Sequence, residues 1–165
     1  MIGQVILMLG LWACGGSEAE PSSQKSTDPK AIEQAEVLFG HYEALRVLLV
    51  NDRSEGYTVP LDGLISSCST LTKISRCDDI AAAAAKLKAN DLSDLETARK
   101  DFGDLSQSMV ALVSDVPELK SKLHVFSCPM AQDYPNWVQP TAQLENPYMG
   151  QRMLKCGKAV DWSDL

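Results

Sequence analysis

The stretch Ser93-Asp94-Leu95-Glu96-Thr97-Ala98-Arg99-Lys100-Asp101-Phe102-Gly103-Asp104-Leu105-Ser106-Gln107-Ser108-Met109-Val110-Ala111-Leu112-Val113-Ser114-Asp115-Val116-Pro117 decides the fold class. Its apolar residues Leu95, Ala98, Phe102, Leu105, Met109, Leu112 and Val116 are spaced alternately three and four apart. That spacing sets them on one stripe of an α-helix. Ser93-Asp94-Leu95-Glu96 supplies a capping box at its start, and Pro117 ends it. The same period recurs upstream in Ala35, Leu38, Tyr42, Leu45 and Leu49, until Asn51 to Gly56 interrupt it. A second helix is expected from near Pro60, a residue tolerated in a first turn, with Thr58 as its cap. Leu61, Leu64, Ile65, Cys68 and Leu71 form its inner face. A third, short one follows Asp78, where Ala81 to Ala85 combine high propensity with little bulk. Four amphipathic helices with short connections predict an all-α, antiparallel four-helix bundle, carrying a C-terminal Cys/Met-rich segment that ends in a short helix.

The chain has 165 residues with 22 acidic and 15 basic side chains, a formal charge of −7. Residues 31–120 hold 15 acidic against 9 basic groups, whereas residues 121–165 are balanced at four of each. An acidic chain of this kind lacks the dense positive face that nucleic-acid binding requires, so no nucleic-acid partner is expected. There are only two histidines, His41 and His124. No Gly-rich phosphate loop, Ser–His–acid set or His-Glu-x-x-His motif occurs, so an enzyme is not expected.

Sulfur is concentrated near the C-terminus. Residues 128–156 carry Cys128, Met130, Met149, Met153 and Cys156. Leu123-His124-Val125-Phe126-Ser127 reads as extended and leads into Cys128-Pro129-Met130. A loop with Tyr134, Pro135, Trp137 and Pro140 follows. Asn146-Pro147 then opens the last helix, which Gly157 closes. On such a helix Met149, Met153 and Cys156 share a face. Cys128 and Met130 share one on an extended segment. If the helix folds back, two thiols and three thioethers converge, a donor set that selects soft ions, Cu(I) and by extension Ag(I). Two other readings stand beside this one. Methionines at helical spacing fill cores, and exported cysteines form disulfides. Cys128 with Cys156 is one such pairing, and Cys68 with Cys77 is another, tying the second helix to the third. His124 reads as a strand-face residue rather than a ligand.

Residues 2–13 are uncharged and mostly apolar, ending at Cys14. Leu11-Trp12-Ala13-Cys14 resembles a bacterial lipobox. The resemblance implies a signal peptide at 1–13, lipidation of Cys14, and an envelope protein anchored in a membrane and facing the periplasm. No Asp follows Cys14, which by the common Gram-negative sorting rule points to the outer membrane. The other reading of 1–13 is a buried N-terminal helix. Residues 14–30 contain no large apolar side chain and read as a flexible linker ahead of a domain at 31–160.

Leu123-His-Val-Phe-Ser-Cys-Pro-Met-Ala131, Trp137 and Glu145-Asn-Pro-Tyr-Met-Gly-Gln-Arg-Met-Leu-Lys-Cys-Gly157 resemble a bacterial domain family of formally unknown function. That family occurs alone in exported proteins and as the C-terminal domain of some copper/silver efflux adaptors of the resistance-nodulation-division type. Tyr42 to Asp52 also resembles its first helix. The resemblance implies a helical bundle fused to a heavy-metal-associated segment at 123–157. Its motif falls on Cys128, Met130, Trp137, Asn146, Pro147, Tyr148, Met149, Gly150, Met153, Cys156 and Gly157, with Met149 at a variable site. With the resemblance added, the expected function is a lipid-anchored Cu(I)/Ag(I)-binding protein that sequesters the ion or passes it to an efflux or cuproprotein partner. Cys128 and Cys156 are its expected anchors, Met130, Met149 and Met153 its thioethers, and Trp137 and Tyr148 its shield. The competing expectation is a non-metal, disulfide-stapled interaction module of an envelope or efflux complex.

Overall fold

A computed structural model describes residues 28–71, 76–90 and 92–165. The expected signal peptide, Cys14 and most of the linker lie outside the described residues. The order of elements is α1 (Pro29–Val50), α2 (Thr58–Thr70), α3 (Cys77–Ala89), α4 (Leu95–Asp115), α5 (Pro117–Lys120), β1 (His124–Ser127), β2 (Asn136–Gln139) and β3 (Lys158–Val160).

The helices form where the apolar period runs. Asp28 caps α1, its Oδ1 accepting from Lys30 N at 3.0 Å. Ala35, Leu38, Tyr42, Leu45 and Leu49 are all buried along it. Asp94, rather than Ser93, caps α4, accepting from Glu96 N at 3.0 Å and from Thr97 Oγ1 at 2.7 Å. From Ala98 to Val116 every residue of the α4 stripe is buried. A buried Leu or Phe contributes roughly 1.5–3 kcal/mol, so this stripe outweighs the modest propensity of Ser, Asp and Gly within the helix. α2 starts at Thr58, two residues before Pro60, and no side chain caps it. Each helix packs on the next, and α4 returns to α1.

The chain is mostly helical, but it is not all-α. β1 lies at the centre of a three-stranded antiparallel sheet, β2-β1-β3, with Phe126 opposite Trp137 on one side and Ala159 on the other. β1 was expected to be extended. β2 was expected to be loop, and it packs against α4. Its residues Trp137, Val138 and Gln139 are all buried, so the alternation that marks a half-exposed strand is absent.

The last expected helix is also corrected. Asn146 Oδ1 accepts from Tyr148 N at 2.8 Å and Met149 N at 3.1 Å, making a side-chain-stabilised turn. Gly150 then has φ +56°, which breaks any α-helix running through it. Only one turn of 3-10 helix follows, Gly150–Met153.

Candidate metal centre

Two short backbone devices bring Cys128 and Cys156 together. Cys128 leaves the end of β1, its N–H donating to Pro135 O at 3.0 Å, and its carbonyl accepts from Ala131 N at 3.2 Å. Residues 128–131 therefore form a turn rather than the expected extended segment. The turn buries Cys128 completely and leaves Met130 53% exposed. Cys156 follows the 3-10 turn, with its N–H on Met153 O at 2.9 Å. The buried Asn146 side chain donates through Nδ2 to the Cys156 carbonyl, so the residue that makes the 146–149 turn also holds the second thiol. Gly157, at φ +139°, lets the chain pass against β1, since a Cβ there would lie 2.7 Å from Ser127 O.

The result is a cluster of three sulfurs. Cys128 Sγ lies 4.0 Å from Cys156 Sγ, and Cys156 Sγ lies 3.9 Å from Met130 Sδ. Both cysteines are free thiols. Partial desolvation and then the neighbouring Cys128 thiol push the Cys156 thiol up from its ordinary value. Cys156 thus holds its proton more tightly than an ordinary thiol unless a cation replaces it.

The other two expected thioethers do not share a helix face with Cys156. Met149 is buried with its Sδ 3.9 Å from Arg152 Nη2, whereas Met153 is 37% exposed. Met149 and Met130 both line a cleft of about 630 Å³, together with Tyr148, Arg99, Lys100 and Arg152. This cleft gives the sulfur cluster a solvent-facing approach through Met130.

The expected shield residues lie beneath the site. Trp137 is fully buried, stacked on Phe126 at 5.6 Å between ring centres and edge-on to Tyr148 at 5.9 Å. Its Nε1 donates to Gln139 Oε1 at 2.9 Å. Tyr148 OH donates to Asn136 O at 2.9 Å, and burial raises its hydroxyl well above the ordinary tyrosine range.

Residues far from the motif hold the tail in place. Arg99 on α4 donates to Pro147 O at 3.1 Å and to Leu49 O at 3.0 Å, and it pairs with Asp52. Asp52 Oδ2 also accepts from Gln151 N at 3.3 Å. Buried Arg46 grips Glu43 through two 2.7 Å contacts and reaches Glu145 O at 2.9 Å. Tyr42 OH and Ser106 Oγ are 2.8 Å apart, and Ser106 donates on to Asn136 O at 3.0 Å. Sequence reasoning gave no role to Arg46, Asp52, Arg99 or Ser106. The usable signal was the resemblance at Tyr42 to Asp52, since Tyr42, Arg46 and Asp52 within that stretch each touch the tail or its supports.

Cys68, near the end of α2, and Cys77, at the start of α3, are both free thiols close enough for each to shift the other's titration. Their proximity raises Cys68 and lowers Cys77. His124 is an exposed strand residue. Among the described residues, no three His, Cys, Asp or Glu side chains gather as a metal-binding group. No described helix is long and apolar enough to cross a membrane. No family model, curated protein or solved structure matches the chain.

Proposed function

We propose that this chain is a lipid-anchored, periplasm-facing protein of the outer membrane that binds Cu(I) or Ag(I), sequestering the ion or passing it to an efflux or cuproprotein partner. The reading takes its helices as an antiparallel four-helix bundle that serves as scaffold, with no enzymatic role. Its anchor rests on the lipobox resemblance at Cys14, and its family placement on the motif resemblance of the tail.

One observation carries the metal reading: the separations of 4.0 Å and 3.9 Å linking Cys128, Cys156 and Met130. Three sulfurs placed trigonally at about 2.3 Å from an ion stand about 4.0 Å from one another. Two thiolates and a thioether are donors of the softness that Cu(I) and Ag(I) prefer. Trp137 and Tyr148 close the protein side against water. Met149 and Met153 serve as outer thioethers, Met149 within the cleft that leads to Met130.

The test is anaerobic Cu(I) titration of the reduced protein against a competing chelator, in a Cys68→Ser/Cys77→Ser background. One ion per chain is expected, lost in the further Cys128→Ser/Cys156→Ser variant. Met130→Leu should weaken binding about tenfold, close to 1.4 kcal/mol. Retention of full affinity without both cysteines would remove the site.

The Cys68–Cys77 thiol contact favours a second reading, a disulfide-stapled interaction module. Thiol counting without reductant separates the two, because the module alone would show no free thiols and no metal uptake after mild reduction.

A further inference from the structure

The two tail thiols differ sharply in access. Cys128 is fully buried, while Cys156 is partly exposed and stands 4.0 Å away. A reagent from solvent can therefore reach one sulfur only, and the other lies behind it within a small side-chain motion. A disulfide requires the sulfurs at about 2.05 Å with Cβ atoms about 3.8 Å apart. Both cysteines sit in short turns next to Gly157 and Pro129 rather than within regular elements, so rotation about their Cα–Cβ bonds is not locked by a helix.

We propose that Cys156 is a thiolation site for small disulfides and Cys128 its resolving thiol, so that thiol–disulfide exchange opens and closes the sulfur cluster. In the first step the Cys156 thiolate attacks a low-molecular-weight disulfide, forming a mixed disulfide and expelling one small thiolate. In the second, the Cys128 thiolate attacks Cys156 Sγ, forming the internal bond and expelling the second small thiolate. The two protein thiols lose two electrons and two protons in all, and one small disulfide becomes two small thiols. A reducing dithiol runs the sequence backwards. The consequence for metal rests on the proposed function: sulfurs joined at bonding distance cannot hold an ion between them, so only the reduced form loads Cu(I), and a loaded ion blocks the exchange.

The experiment treats the reduced full chain with oxidised glutathione without oxygen and maps every cysteine by peptide mass spectrometry. Wild-type chain should acquire a Cys128–Cys156 bond and keep no glutathione on either residue. Cys128→Ser should retain one glutathionyl group on Cys156, and Cys156→Ser should leave Cys128 unmodified. Equal modification of Cys128 and Cys156 in the two single variants, or no internal bond in the wild type, overturns the assignment. Far-UV circular dichroism checks both variants for folding, and the wild-type arm needs no substitution. Prior loading with one Cu(I) should slow the reaction at least about tenfold, because the metal-bound thiolate is no longer a free nucleophile. An unchanged rate in a chain that has taken up Cu(I) overturns the coupling. A chain that takes up none sinks the proposed function, while the metal-free arm judges the exchange separately.

Discussion

At position 150 a side chain would have nowhere to go. Gly150 has φ +56°, and a Cβ there would overlap Asp52 Oδ1 and Arg99 Nη2. These two groups bind residues 147–151 to the ends of α1 and α4. Gly150→Ala should cost about 2–3 kcal/mol, combining a left-handed backbone with a displaced ion pair. Urea denaturation should show a lower midpoint at unchanged slope. A variant as stable as the parent would mean that the clamp tolerates being pushed apart. A second expectation concerns Cys156, whose thiol is raised by desolvation and by Cys128. It is held protonated at neutral pH, so binding a soft cation must release its proton. Apparent Cu(I) affinity should therefore climb as pH rises toward the thiol range and flatten beyond it. Competition titrations from about pH 6 upward should show the climb continuing past the ordinary thiol value of about 8.5, because the Cys156 thiol is raised. A flat profile would show that Cys156 is not a ligand.

The elements differ in how far their sequences speak for them. α1 and α4 are long, and the apolar stripes read from their three-and-four spacing are buried almost residue for residue. β2 has four residues and β3 three, too few for a period of two to stand out, and Pro135 and Pro140 make β2 resemble a loop. The single helix expected across 146–157 does not form, because the α backbone is interrupted within it. The Asn146 turn and Gly150 instead send Met149 toward Arg152, away from a shared face. Cys128 and Cys156 still meet, because their approach depends on the chain doubling back and not on helix phase. Contacts between distant segments were the least legible part. Arg46 is an ordinary exposed-type residue in the sequence, yet it is buried between Glu43 and the Glu145 carbonyl. Removing this buried guanidinium strips hydrogen bonds from the part-exposed Glu43 and from the Glu145 carbonyl and leaves a gap in the packing, at a cost of about 2–3 kcal/mol. Arg46→Ala should lose stability on that scale by chemical denaturation. The exposed pair Arg53–Glu55 should cost under about 1 kcal/mol when broken. Similar losses at the two sites would contradict the assigned role of Arg46 in joining α1 to the tail.

The whole molecule is held together where helices meet the sheet, and tyrosines mark that boundary. Tyr42 on α1 reaches Ser106 on α4, Ser106 reaches the Asn136 carbonyl on β2, and Tyr148 from the tail donates to the same carbonyl. Burial raises the hydroxyls of both tyrosines above their ordinary range, and those of Tyr57 and Tyr134 as well. The folded state thus binds these protons more tightly than the unfolded chain does. A group raised in this sense contributes its stability fully below the unfolded value, about 10 for tyrosine, and loses it as pH climbs toward the folded value. The protein should accordingly hold its fold until the pH passes about 10 and then unfold cooperatively. Tyrosinate absorbance at 295 nm should rise together with loss of far-UV circular dichroism, because neither Tyr42 nor Tyr148 can ionise freely while the tail remains docked. Titration in a Cys68→Ser/Cys77→Ser background removes the contribution of that thiol pair. Gradual ionisation of all four tyrosines at unchanged helix content would mean that the sheet and the sulfur-bearing turns detach while the helices persist. In that case the cluster of Cys128, Cys156 and Met130 would be an assembly of the tail alone, without the Arg46, Arg99 and Ser106 supports that set it here.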